Sequence, residues 1–72
     1  TDKKKYLNQA MLKLSDADRT ALTLFYLDEF SLEEIADITG MQANTAKVRI
    51  HRARQRLADE LVAILNQEAL TL

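Results

Sequence analysis

Five basic side chains crowd into ten residues: Lys47, Arg49, Arg52, Arg54 and Arg56, with no acidic residue among them and none following before Asp59. Asn44, Thr45, Val48, His51 and Gln55 precede or interleave with them. This mixture has the donors and acceptors that read base pairs. Arginine can donate to guanine O6 and N7, asparagine pairs with adenine, and an apolar group meets the thymine methyl. Lysine and arginine also neutralise phosphates. The plainer reading is a solvated basic helix face, and the basic residues alone do not separate the two.

Other chemistry finds little support. His51 is the only histidine, there is no cysteine, and its helical neighbours Lys47 and Gln55 are not metal ligands. It also lacks a nucleophile or an obvious carboxylate partner, so no catalytic residue, metal or cofactor is expected. Glu33 and Glu34 are adjacent, but adjacent helix positions diverge by ~100°. Tyr6, Phe25, Tyr26 and Phe30 lie outside the basic stretch and read as core aromatics, not as platforms for stacked bases.

The basic stretch needs a scaffold, and Ser31 to Leu57 supplies one. Ser31 and Glu34 have the spacing of a capping box. Leu32, Ile35, Ala36 and Ile38 follow as the apolar positions of a short helix. Gly40, the only glycine, ends it, because a left-handed residue reverses the chain at little steric cost. Met41 is expected to bury in the turn and Gln42 to stand at the cap. The next helix starts near Ala43, with Ala46, Ile50, Ala53 and Leu57 as its inward stripe. Leu61, Ile64 and Leu65 continue the stripe, and no breaker appears before Asn66. On a wheel of ~100° per residue, Asn44, Val48, His51 and Gln55 lie opposite the stripe, flanked by Thr45, Lys47 and Arg52. Arg49, Arg54 and Arg56 lie toward the sides, where phosphates would be. Two helices joined by a tight turn, the second one basic, form the pattern of a helix-turn-helix. Ala36 fits a close approach of the two helices.

Two further helices precede this unit. Tyr6, Leu7, Ala10, Met11 and Leu14 recur at helical spacing. Ser15 can cap a second helix from Asp16 to Leu27, with Asp18 in capping-box position. Its main stripe is Ala21, Leu22, Phe25 and Tyr26, widened by Leu24 and Leu27. Ile35, Ala36, Ala46, Ile50 and Ala53 are expected to be buried together.

Composition agrees with an all-α chain. There is no proline, and 47% of the residues are hydrophobic, which favours long helices with short connections. Seventy-two residues make one small domain, residues 1–72, whose folding buries only roughly 60% of its unfolded surface. The net charge of −1 excludes a generic polycation, but the charge is unevenly placed. Residues 6–40 hold seven acids against Lys13 and Arg19, residues 41–56 hold five bases and no acid, and residues 57–72 hold three acids and no base. One basic block framed by acid is the electrostatic footprint. The longest apolar run, Leu22 to Leu27 with Thr23 inside it, is too short to span a bilayer. No sustained apolar segment follows Lys3, Lys4 and Lys5, so no signal-peptide pattern opens the chain. A soluble cytoplasmic protein without membrane insertion is expected. The chain begins at Thr1, so a fragment of a longer protein is expected too.

From Leu14 to Leu57 the sequence resembles region 4 of bacterial sigma factors, especially the extracytoplasmic-function group. The residues that carry the resemblance are Leu14 and Arg19, Ser31 to Ala36, Gly40, Thr45 to Arg49, and Arg52-Ala53-Arg54. It implies a small four-helix domain with a winged-helix-like three-helix core. It also implies binding to the −35 promoter element in the major groove, contact with the β-subunit flap of RNA polymerase core, and sequestration by an anti-sigma factor. By position, base readout falls to Lys47, Val48, His51 and Arg52, with Asn44 and Thr45 near the groove. Phosphate contacts fall to Arg49, Arg54 and Arg56, with Thr45 at the edge. Several positions depart from the family pattern. Ser15 stands where proline is frequent, Glu29 where glycine is common, Gln42 at the usual Ser or Thr cap, Ala46 for valine and Val48 for serine. Val48 and His51 imply a DNA preference of this chain's own.

Two other readings compete. The output domain of LuxR-type response regulators shares the glutamate-isoleucine-alanine, glycine turn and threonine-valine-lysine pattern, but it usually lacks the Arg52-Ala53-Arg54 run and is followed by a short dimerisation helix. A sigma-like module that binds only protein would keep the same core and lose the basic outer face.

Overall fold

With no proline after Gly40 to stop it, one helix, α4, runs unbroken over Ala43–Thr71 in the computed structural model, which describes residues 2–71. At 1.5 Å per residue it is ~43 Å long, which nearly equals the 45 Å long axis of the molecule. Three shorter helices, α1 (Asp2–Leu12), α2 (Asp16–Leu22) and α3 (Leu32–Thr39), all pack against it. Among the described residues there is no strand. The all-α, four-helix expectation holds. The last helix extends five residues beyond Asn66, because nothing in Gln67 to Thr71 breaks it.

The core is thin and built largely from small residues. Ala21, Ala46 and Ala53 are enclosed almost completely, and Ile35 is the largest side chain that is fully buried. Leu14, Leu22 and Ile50 complete the cluster, with Met11, Leu24, Phe25, Phe30, Leu32, Met41 and Leu57 packed around it. Alanine on the inward stripe lets α2 and α3 approach the α4 backbone closely, and interiors at crystal-like density leave no room for more. Ala36 departs from expectation. It is half-buried, and Ile35 is the α3 residue enclosed by the core.

The second helix also departs from expectation. The α-helical pattern ends at Leu22, and Thr23–Leu27 widen into a π-helical turn. Asp28 N–H donates to the Thr23 carbonyl at 3.0 Å, five residues back. The wider turn keeps Leu24 and Phe25 against the core and turns Tyr26 and Leu27 outward, where Leu27 is 71% exposed. Leu27 therefore does not widen the buried stripe. Ile38 and Leu65 are exposed too.

The caps account for the turns. Ser31 Oγ accepts from Glu34 N–H at 3.1 Å, and Glu34 Oε1 accepts from Ser31 N–H at 2.9 Å, the full capping box. Gly40 has φ 78°, and its N–H donates to the Ala36 carbonyl at 2.8 Å. Nothing lies within 4 Å of where a Cβ would stand on Gly40, so backbone angle alone requires glycine there. Glu29 has φ 60°, at a position where the resembled family commonly has glycine. Arg19 donates to the carbonyls of Met11 and Leu14 at 3.4 Å each and pairs with Asp16. It thereby closes the α1–α2 connection.

Candidate nucleic-acid interface

The turn at Gly40 sets the direction of α4, and the buried stripe of Ala46, Ile50 and Ala53 sets its rotation. What remains outward is the basic face. Asn44, Lys47, Val48, His51 and Arg52 are all exposed, and the five line one shallow open depression. Val48, 48% exposed, adds an apolar contact to a lining that also includes Phe25, Leu32 and Ile50. All five residues assigned to base readout from the sequence are thus brought together on one face.

The expected phosphate contacts divide into two groups. Thr45, Arg49 and Arg56 line a second groove on the side of α2, which Asn44, Val48 and Arg52 also line. Arg54 stands apart from that groove and lines the depression itself, at the edge made by Tyr26, where its Nη1 donates to Tyr26 Oη at 3.0 Å. Tyr26 in turn meets Phe25 edge-on, with ring centroids 5.0 Å apart. Arg54 is therefore oriented by the π-helical turn.

Arg49 and Arg56 both reach across to one carboxylate. Arg49 Nη1 donates to Asp18 Oδ1 at 3.3 Å, and Arg56 Nη1 donates to Asp18 Oδ2 at 2.9 Å. Asp18 is 5% exposed, the one buried charged residue among those described. The sequence placed Asp18 in a capping box with Ser15. Only half of that box forms: Ser15 Oγ accepts from Asp18 N–H at 3.2 Å, while the Asp18 side chain turns to α4. A carboxylate this well enclosed must be paired, and two guanidinium groups two helical turns apart supply the pairing. The spacing of Arg49 and Arg56, seven residues, puts them on one side of α4. That was the available signal, but nothing local pointed to Asp18, more than thirty residues away.

The remaining chemistry is sparse. No group of three His, Cys, Asp or Glu residues able to hold a metal occurs among the described residues. His51 is exposed on the depression. No described helix is long and apolar enough to cross a membrane. A concave apolar surface does occur between α1, the π-helical turn and α4, lined by Leu7, Met11, Leu12, Tyr26, Leu27 and Leu57.

A capped helix, a glycine turn and an outward basic helix together define a helix-turn-helix of the DNA-binding kind. Residues 4–57 match the family "Sigma-70, region 4", and the chain belongs to it. It is 46% identical over 55 residues to the ECF RNA polymerase sigma factor SigW of Bacillus subtilis, covering 76% of this chain and 29% of that protein. It is 35% identical over 68 residues to the RNA polymerase sigma factor YlaC of the same organism, covering 94% and 39%. The RNA polymerase sigma-E factor of Streptomyces coelicolor is 42% identical over 50 residues, covering 69% and 28%. The chain thus spans well under half the length of these relatives.

Proposed function

We propose that this domain is the −35 reader of a sigma factor, placing α4 in the major groove of promoter DNA during transcription initiation. One observation carries the reading: Asn44, Lys47, Val48, His51 and Arg52 line a single exposed depression while Ala46, Ile50 and Ala53 anchor the same helix in the core. Those five residues contact bases. Thr45, Arg49, Arg54 and Arg56 serve the phosphates. The domain is a binding module, with no catalytic step of its own and no cofactor.

The apolar surface fits a second partner. Leu12 and Leu27 are 74% and 71% exposed beside it, and open apolar patches rimmed by polar residues mark protein contacts. We assign it to RNA polymerase core, through the β-subunit flap, with an anti-sigma factor as a competitor for the domain. This places the protein in the cytoplasm. Family membership favours this reading over a LuxR-type output domain, and the intact basic face favours it over a module that binds only protein.

The test is binding of the 72-residue chain to duplexes selected from a random-sequence pool, at several salt concentrations. Three to five phosphate contacts give a log–log slope of roughly −3 to −4.5. No binding at low salt, or a slope near zero, would leave the protein-only module.

A further inference from the structure

We propose that Asp18 is a positioning residue for DNA binding: its carboxylate, braced by Arg49, holds Arg56 so that the free N–H groups of Arg56 grip a backbone phosphate. The inference rests on the DNA-binding reading above and deepens it. An acidic side chain beside a DNA-binding helix would ordinarily weaken binding by repulsion, so the geometry makes an opposite claim.

Thr45, Arg49, Arg52 and Arg56 recur along α4 at spacings of four, three and four, so they form one stripe. Ser15 and Asp18 of the α2 start face that stripe across an open groove. Asp18 is enclosed, whereas the Arg56 side chain is 66% exposed. The negative charge lies at the base of the groove and the guanidinium stands between it and solvent. The three arginines and one aspartate leave the groove with a net charge of about +2, and Ser15, Asn44, Thr45, Arg52 and Arg56 all bring exposed donors to its lining.

A guanidinium carries five N–H donors in a rigid plane. Arg56 uses one of them, on Nη1, for Asp18. That leaves Nε and Nη2 for a phosphate oxygen, in an orientation fixed before binding. Arg49 is held more deeply: its Nη1 is on Asp18, and its buried Nε has no partner. Arg49 thus braces the carboxylate from the helix side, and Arg56 presents the grip. Free of Asp18, Arg56 would sample many rotamers and lose that freedom on binding DNA. A lysine could not do the same, because a compact ammonium lacks the planar fork that serves both acids.

The test uses the 72-residue chain and two probes, a duplex it selects from a random pool and an unrelated duplex, between about 50 and about 200 mM salt. Asp18→Asn removes one negative charge from the protein. It should nevertheless bind both duplexes about ten-fold more weakly, the worth of one charge-assisted contact. Its salt slope should be shallower by about one. Arg56→Lys keeps the net charge and should show a similar loss. In an Arg56→Ala background, Asp18→Asn should add little, since the two act as a unit. Thermal melting of each variant locates the temperature range in which it is folded, and binding is compared only there. A purely structural brace would lower melting and leave slope and affinity unchanged below it. Binding by Asp18→Asn that is unchanged or tighter overturns the inference, as does wild-type behaviour of Arg56→Lys. If the wild-type chain binds neither duplex at low salt, the DNA reading itself fails and the inference falls with it.

Discussion

The N–H of Gly40 donates to the carbonyl of Ala36 at 2.8 Å, and this bond closes α3 at the point where the chain turns toward the basic helix. Gly40 holds φ 78° with open space where a Cβ would be, so the cost of a side chain there is conformational. Gly40→Ala should destabilise the domain by about 1 to 2 kcal/mol, the left-handed penalty of an L-residue. Chemical denaturation measures it; an unchanged midpoint would mean that the turn has another low-energy form.

Glu29 gives the converse case. It sits at φ 60° and carries that penalty already. Glu29→Gly should stabilise by about 0.5 to 1 kcal/mol, since relief of strain is partly offset by the greater freedom of glycine in the unfolded chain. A lower melting temperature for the variant would show that the glutamate side chain makes up for its backbone.

Ala46 and Ala36 differ in how tightly they are held. Ala46 is fully enclosed and Ala36 is half-buried. Ala46→Leu should cost about 1 to 3 kcal/mol by overpacking, and Ala36→Leu clearly less. Equal losses would mean that Ala36 is held as tightly as Ala46.

Glu34 gives the capping box a pH dependence. Its hydrogen bond from the Ser31 backbone, then that involving the Ser31 side chain, hold its carboxyl below the usual glutamate value. A depressed native value means that the charged form is favoured by folding. The stabilisation is complete above the unfolded-state value and is lost as pH falls through the native one. Glu34→Gln keeps an acceptor but does not titrate. The melting difference between wild type and Glu34→Gln should be constant near neutrality and should shift against wild type below the ordinary glutamate range. A difference that stays flat into acid would remove Glu34 from the box in solution.

The local signals were legible. Ser31 with Glu34 and the lone Gly40 each act within four residues, so the sequence alone locates the helix-turn-helix and the outer face of α4. The π-helical turn was not legible, because Leu22 to Leu27 is apolar at almost every position and suits an α- or a π-helical period equally. Asp18 was read locally, as a cap, whereas a long-range demand from Arg49 and Arg56 turns its side chain elsewhere. The Arg54–Tyr26 bond was hidden for the same reason, since it spans 28 residues.

Arg52 and Arg54 most directly test whether α4 reads DNA. Both arginines line the depression with Asn44, Val48 and His51, but Arg54 is tied to Tyr26 at its edge. The measurement is binding of wild type, Arg52→Ala and Arg54→Ala to a selected promoter duplex and its single-base variants across a salt series. Arg52→Ala should lose about 1 to 3 kcal/mol of discrimination at one base pair. Arg54→Ala should weaken all duplexes alike and make the salt slope shallower by about one. If Arg52→Ala weakens every duplex equally and keeps the wild-type preference, Arg52 is a phosphate contact. A wild-type chain that shows no preference among the duplexes would contradict the account of α4 as a reader of sequence.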